Sequence, residues 1–220
     1  MTNVFLTENH FYNTVFSDEK WWRVGEGSNH KYWCFAGEKA PSHPRTQHPD
    51  QLRILGAMSR KGVAPLHEFP TQQKITSQIY CSAVQDSLLP WIKEKHMRHG
   101  IWQQDGAGVH RGALVDKFVK DSFPAGTLTH PPYSPDLAPI ERLWAIQQRR
   151  VGQDRAKNRE ELREIVLEEW DRVSRETTGK LVDSLERRIV KVMEVNGGWP
   201  EDKDAVELCG HVYETPVYQF

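Results

Sequence analysis

The segment HPPYSPDLAP, residues 130–139, carries four prolines in ten residues. Each proline fixes φ and removes a backbone N–H, so neither a helix nor a central strand runs through such a stretch. It reads as a stiff connector, and it divides the chain. Before it, strand and helix periods alternate. Residues 13–24, NTVFSDEKWWRV, place Val15, Phe16, Trp21, Trp22 and Val24 in a β-rich run. KYWCFA (31–36) is a second strand candidate, and the turn RKG joins LRILGAMS (52–59) to VAPLHEF (63–69) as a hairpin. Between them, residues 38–51 hold three prolines and two histidines without any period, a long exposed loop of the kind that is often functional. Ile79, Ala83, Val84, Leu88 and Trp91 give helical spacing over 76–96; IWQQD (101–105) reads as a short strand, 110–122 as a helix and GTLTH (126–130) as a brief strand. Beyond the connector the pattern is helical. A helix starts at Ile140; Leu162, Ile165, Val166, Trp170 and Val173 form one apolar stripe and Leu181, Leu185, Ile189 and Val192 another. Strands, then α/β alternation, then helices predict one mixed sheet with helices on its faces.

Composition narrows the function classes. At 220 residues, the chain is long enough for one large domain with its own core. Lys plus Arg number 29 and Asp plus Glu 30, so an overall basic coat for nucleic acid is absent, which leaves room only for a local basic patch. Cys34, Cys81 and Cys209 include no C-x-x-C pair, and their odd number argues for a reducing compartment. No apolar run reaches the roughly 18 residues of a membrane helix, and MTNVFLTENH lacks the pattern of a signal peptide.

Three carboxylates stand out by their neighbours. Asp18 interrupts an otherwise apolar strand, where Asp is disfavoured; position alone fits equally a solvent-facing residue paired with Lys20. Asp105 ends IWQQD before Gly106, Ala107 and Gly108, and an ordinary Asp-Gly turn accounts for it as well. Glu141 follows Pro139, which suits the first position of a helix. Ala138 is then the N-cap and Glu141 the third helical residue, yet Ala138 has no side chain to complete a capping box. Carboxylates brought together repel unless a cation intervenes, and an all-oxygen set points to Mg²⁺ or Mn²⁺ rather than zinc. Two such ions about 3.5–4 Å apart stabilise both the attacking and the leaving oxygen of a phosphodiester. The pairs His43/His48 and His96/His99 lack partners at zinc-finger spacing and read as solvated loop residues. Arg149, Arg150, Arg155, Lys157 and Arg159 form a basic run that suits phosphates or a solvated helix end alike.

WQQDGAGVH (102–110) and PPYSPDLAPIERLW (131–144) resemble the second and third catalytic motifs of the Tc/mariner transposase superfamily, and VFSDEKWW (15–22) resembles the first. EELREIVLEEWDRV (160–173) and LVDSLERRIVKVMEVNGG (181–198) resemble that family's C-terminal helices. The likeness covers roughly residues 4–198, which predicts a catalytic domain over 1–198, a clamp-type loop at 38–51 that contacts a partner subunit, and an acidic tail over 199–220. The resemblance implies an RNase H-like α/β fold, a mixed five-stranded sheet flanked by helices. It implies that Asp18, Asp105 and Glu141 are catalytic and hold two Mg²⁺ (or Mn²⁺) ions, that His110 supports them, and that DNA is cut and joined. It further implies transposon ends and target DNA as partners, a homodimer, no membrane, and, in a eukaryote, the nucleus.

Departures from the pattern carry their own expectations. Gly106-Ala107-Gly108 stands where the family has Asn-Ala-Pro, which loosens a turn. Ala138 replaces a capping Asn, a change worth about 1 kcal/mol. Both favour a weakened enzyme, with a silent DNA-binding or assembly module as the alternative. No helix-turn-helix fits ahead of the first strand, so the chain reads as an isolated catalytic domain.

Overall fold

The computed structural model describes residues 11–25, 49–95, 97, 99–132, 134–152 and 156–197. The strand expected at 31–36, nearly all of loop 38–51, Cys34, Cys209, His43, His48, His96, Arg155 and the tail 199–220 lie outside the described residues.

A ten-residue strand, β1 (Thr14–Arg23), organises the sheet. Its neighbour β2 (Gln51–Ser59) runs antiparallel, with Asp18 opposite Gly56. On the other side β5 (Ile101–Gln103) runs parallel, with Phe16 opposite Gln103. β3 (Gly62–Val63) and β4 (His67–Phe69) both pair antiparallel with β2 as two halves of one interrupted edge. The break falls at Pro65, which has no N–H for the ladder. The sheet is thus mixed and five-stranded, as expected.

Alternation along β1 and β2 creates two cores. Val15, Leu55 and Ala57 face one side. There they pack with Tyr80, Val84, Leu88, Trp91, Val115 and Phe123, residues supplied by α1 (Ser77–Ala83), α2 (Leu89–Glu94), the turn between them and α3 (Ala113–Ser122) with its cap. Phe16, Trp22, Leu52, Ile54 and Met58 face the other side. Against them lie α4 (Pro139–Val151), α5 (Arg159–Asp171) and α6 (Arg175–Glu194), through Leu143, Trp144, Val166, Trp170, Leu181 and Leu185. The two apolar stripes read beyond the connector are the buried faces of α5 and α6.

Three boundaries differ from the sequence reading. The helix expected over 76–96 is α1 and α2 joined by a wide π-helical turn, Val84–Leu88. Pro90, at the start of α2, cannot donate to the carbonyl of Asp86, and the helix widens to accommodate it. The strand expected to end at Asp105 stops at Gln103. Beyond it the Gln104 side chain takes up indole, phenol and backbone partners, and Asp105 begins a turn. The strand expected at 126–130 is reduced to a single parallel bridge, Trp102 to Thr127, before the prolines begin.

The cap of α4 matches the sequence reading. Ala138 is the N-cap without a side-chain bond, Pro139 is the first helical residue, and the Glu141 N–H reaches the Ala138 carbonyl at 3.0 Å. The connector ahead of it is pinned from α6, where Arg188 donates to the Asp136 carbonyl at 3.0 Å.

Gly56 admits α4 to the sheet. A Cβ built there would lie 2.6 Å from Cη2 and 2.8 Å from Cζ2 of Trp144, and 3.2 Å from Trp170. The two indoles stack at 4.9 Å between centroids and are fully buried, so they cannot swing away. Gly56→Ala is expected to cost about 1–3 kcal/mol, the usual penalty of overpacking. Urea denaturation of the two proteins measures it.

Candidate active site

Asp18, Asp105 and Glu141 line one open cleft of about 440 Å³. The cleft lies at the end of the sheet where β1 and β5 run side by side and α4 begins. Each carboxylate comes from a different element: the middle of β1, the turn after β5, and the first turn of α4. Ser17, Gln103, Gly106, Arg111, His130 and the connector residues Pro131, Pro132 and Pro135 also line it.

Asp18 is held by an indole. Trp144 Nε1–H donates to Asp18 Oδ2 at 3.0 Å. The space Gly56 leaves opposite Asp18 is what lets this indole reach β1. The sequence alternative, pairing with Lys20, is replaced by this bond; Lys20 instead lies with Nζ 5.9 Å from the Trp22 ring centre. Burial, followed by the like charges of Glu141, Glu19 and Asp105, pushes the Asp18 carboxyl up to about 8. Glu141 is also raised, by burial and by Asp105, against the pull of Lys20.

Asp105 has the opposite balance. Its Oδ1 accepts from His110 Nδ1 at 2.6 Å and from the Ala107 N–H at 2.9 Å. Half-exposed and bonded in this way, it is held below the ordinary carboxylate range by the His110 bond first. The turn itself is closed by backbone bonds from His110 to Ala107 at 3.0 Å and from Arg111 to Gly108 at 3.4 Å. Gly106 packs under the Arg111 guanidinium, where a Cβ would come within 2.8 Å of Nη2.

His110 is buried between two carboxylates. Its Nε2 meets Glu19 Oε1 at 3.0 Å, and Tyr80 packs on the ring at 4.3 Å between centroids. Burial opposes a charge on the ring, but the bonds to Asp105 and Glu19 outweigh it and raise His110 to about 9.

The structure brings Asp18, Asp105 and Glu141 into one cleft and sets His110 against Asp105. The basic run, read as suiting phosphates or a solvated helix end, lies apart from that group. Arg149 and Arg150 sit in the last turn of α4, eight and nine residues beyond Glu141, or about 12–13.5 Å along the axis. They and Lys157 are absent from the cleft lining. The reading missed Trp144, Glu19, Arg111 and His130. Trp144 lies three residues after Glu141, but its role depends on a glycine 88 positions earlier, which no local pattern announces.

Among the described residues no three Asp, Glu, His or Cys side chains stand close enough to share one metal ion. The donors still suit Mg²⁺ or Mn²⁺, which need only one or two carboxylates and fill their other places with water and phosphate. Asp18 and Asp105 each have one oxygen tied by protein N–H groups. Among the described residues the other oxygen of each has no hydrogen-bond partner.

A family model described as "DDE superfamily endonuclease" matches residues 13–163. The Tc1 transposase of Caenorhabditis elegans is 27% identical over 191 residues, covering 84% of this chain and 65% of that one. The Tc3 transposase of the same organism is 26% identical over 193 residues, covering 83% and 56%. The chain spans about half to two thirds of the length of the curated relatives it matches. Among solved structures, the Mos1 transposase paired-end complex with left transposon end superposes with a TM-score of 0.76 at 20% identity, covering 88% of this chain and 58% of that chain. A Mos1 transposase catalytic domain with Raltegravir and Mn gives 0.68 at 18% identity, covering 88% of each. The fold is therefore RNase H-like, as the sequence resemblance implied.

The raised Asp18 carboxyl makes a prediction about the metal-free chain. Below about pH 4 folded and unfolded chains both hold the proton. Between that point and about 8 the folded chain keeps a proton that the unfolded chain has released, so stability falls as pH rises. Asp18→Asn removes this loss. In EDTA, the mutant is expected to match wild type near pH 4 and to gain on it by up to about 1.4 kcal/mol per pH unit towards pH 8, read by denaturation at each pH.

Proposed function

The chain belongs to the DDE superfamily of endonucleases, and from that premise we propose that it is the catalytic part of a Tc1/mariner-type transposase that cuts and joins DNA. The observation that carries this reading is the meeting of Asp18, Asp105 and Glu141 in one cleft from three separate elements. Asp18 and Asp105 are the residues that would hold a divalent cation, Mg²⁺ or Mn²⁺, with Glu141 completing a two-ion site. When bound, such ions activate water and stabilise the oxygens that attack and leave phosphorus.

The chain's own part in the reaction is positioning. Trp144 fixes one oxygen of Asp18, and His110 with the Ala107 N–H fixes one oxygen of Asp105. Each carboxylate then offers its remaining oxygen to the cleft. Arg111 and His130 stand on the cleft wall, where a DNA phosphate would lie. Water adds to a backbone phosphorus, the P–O3′ bond breaks, and the proton passes to the leaving oxygen, giving a 3′-hydroxyl and a 5′-phosphate. In strand transfer that 3′-hydroxyl attacks a target phosphodiester and one target 3′-oxygen leaves.

These curated relatives are transposases, and solved neighbours include a paired-end complex and a strand transfer complex of Mos1. By analogy, the partners here are transposon-end DNA, target DNA and a second copy of the chain, met in the nucleus of a eukaryotic cell. Arg149, Arg150 and Lys157 would touch the duplex away from the cut. A silent module has no specific observation in its favour.

The test is cleavage of a labelled duplex, uncut and precut, in Mg²⁺ and in Mn²⁺. Metal-dependent nicking is expected from wild type and is expected to fall at least about a hundredfold in Asp105→Ala, in line with loss of a metal's several kcal/mol of transition-state stabilisation. Equal nicking by the two proteins, or none from wild type on either duplex, overturns the reading.

A further inference from the structure

We propose that Glu19 is a positioning residue for Asp105, acting through the ring of His110. The proposal rests on the reading of Asp105 as a metal-binding carboxylate. Glu19 follows Asp18 in β1 and therefore points to the opposite face of the sheet. It is not part of the cleft lining. Its side chain is only 11% exposed, and that of His110 only 2%. Such a buried carboxylate is costly unless it is bonded. Its Oε1 meets His110 Nε2 at 3.0 Å, while His110 Nδ1 meets Asp105 Oδ1 at 2.6 Å. Each ring nitrogen is bonded to a carboxylate oxygen, so the ring is a rigid strut between Glu19 and Asp105.

Further contacts fix the strut. Tyr80 covers one face of the ring, and Gln104 Nε2 donates to the His110 carbonyl at 3.1 Å. Ser77 Oγ donates to the Val109 carbonyl at 2.9 Å, tying the turn to α1. β1 therefore sets both carboxylates at once: Asp18 directly, and Asp105 through Glu19 and His110. The distance between them is governed by the backbone of two adjacent residues plus one ring.

A rival account gives Glu19 a purely local task as the partner of Arg53, whose Nη2 lies 3.8 Å from Glu19 Oε2. That account predicts a loss of stability without any change at Asp105. The two are separated by two measurements on the folded chain. The first is the ¹⁵N–¹H spectrum of the histidine rings in metal-free protein. Wild type is expected to give two slowly exchanging ring N–H signals for His110, with Nδ1–H far downfield. Glu19→Gln keeps an acceptor and is expected to retain both; Glu19→Ala is expected to lose Nε2–H and to shift or broaden Nδ1–H. The second is the dissociation constant for Mn²⁺. Residues that orient a metal ligand typically change affinity by about 10–100-fold, and Glu19→Ala is expected to weaken Mn²⁺ by that factor while Glu19→Gln stays near wild type.

If Glu19→Ala does not fold, Glu19→Asp takes its place: it keeps the charge, shortens the reach by one methylene, and must also move Nδ1–H. An unchanged Nδ1–H signal in the alanine or aspartate variant, or the same loss in Arg53→Ala, overturns the proposal. Wild-type protein that binds no Mn²⁺ through its carboxylates overturns the function reading instead, and the ring spectrum still decides the strut.

Discussion

Burying Asp18 is the constraint on which the rest of the site depends. A carboxylate inside a sheet is stable only if something donates to it, and here the donor is the indole of Trp144 on α4. The indole reaches that point because Gly56, directly opposite on β2, has no side chain. α4 must start where it does for Trp144 to land there, and the proline connector with its bare Ala138 cap sets that start. Glu141, one turn before Trp144, is then delivered to the same cleft. One packing contact thus fixes the two carboxylates that lie farthest apart in sequence.

The remaining carboxylate is placed from the other face of the sheet. Asp105 sits in a turn that extends past the end of β5, where backbone pairing no longer holds it. The His110 ring and the Ala107 N–H do that work instead. The result is electrostatically uneven. Asp18 is pushed up to about 8 by burial first and by crowding of like charge second, whereas Asp105 is held down by its histidine. A divalent cation would relieve the first and exploit the second, which is why the cleft suits metal-assisted phosphoryl chemistry better than proton transfer between the carboxylates alone.

Much of this was legible in the sequence because it is local. The proline block, the helix start at Pro139, the two apolar stripes and the β-rich run around Asp18 all signal within a dozen residues. The boundaries that moved did so for local reasons with nonlocal partners: β5 ends at Gln103 because the Gln104 side chain is claimed by Tyr80, Trp102 and the His110 carbonyl. What stayed hidden depends on pairs far apart in the chain. Gly56 with Trp144 and Glu19 with His110 meet only when strand register and helix packing are both set. Trp144 in particular reads as an ordinary core residue, and its packing gives no hint of the N–H it supplies.

The central claim is that Asp18 and Asp105 together offer a divalent cation its protein oxygens. Anomalous diffraction from a crystal soaked in Mn²⁺ tests it most directly. The account predicts a peak between Asp18 and Asp105, within about 2.0–2.3 Å of an oxygen of each, the range for small divalent ions. A peak that touches neither carboxylate, or none in the cleft at saturating Mn²⁺, would contradict it.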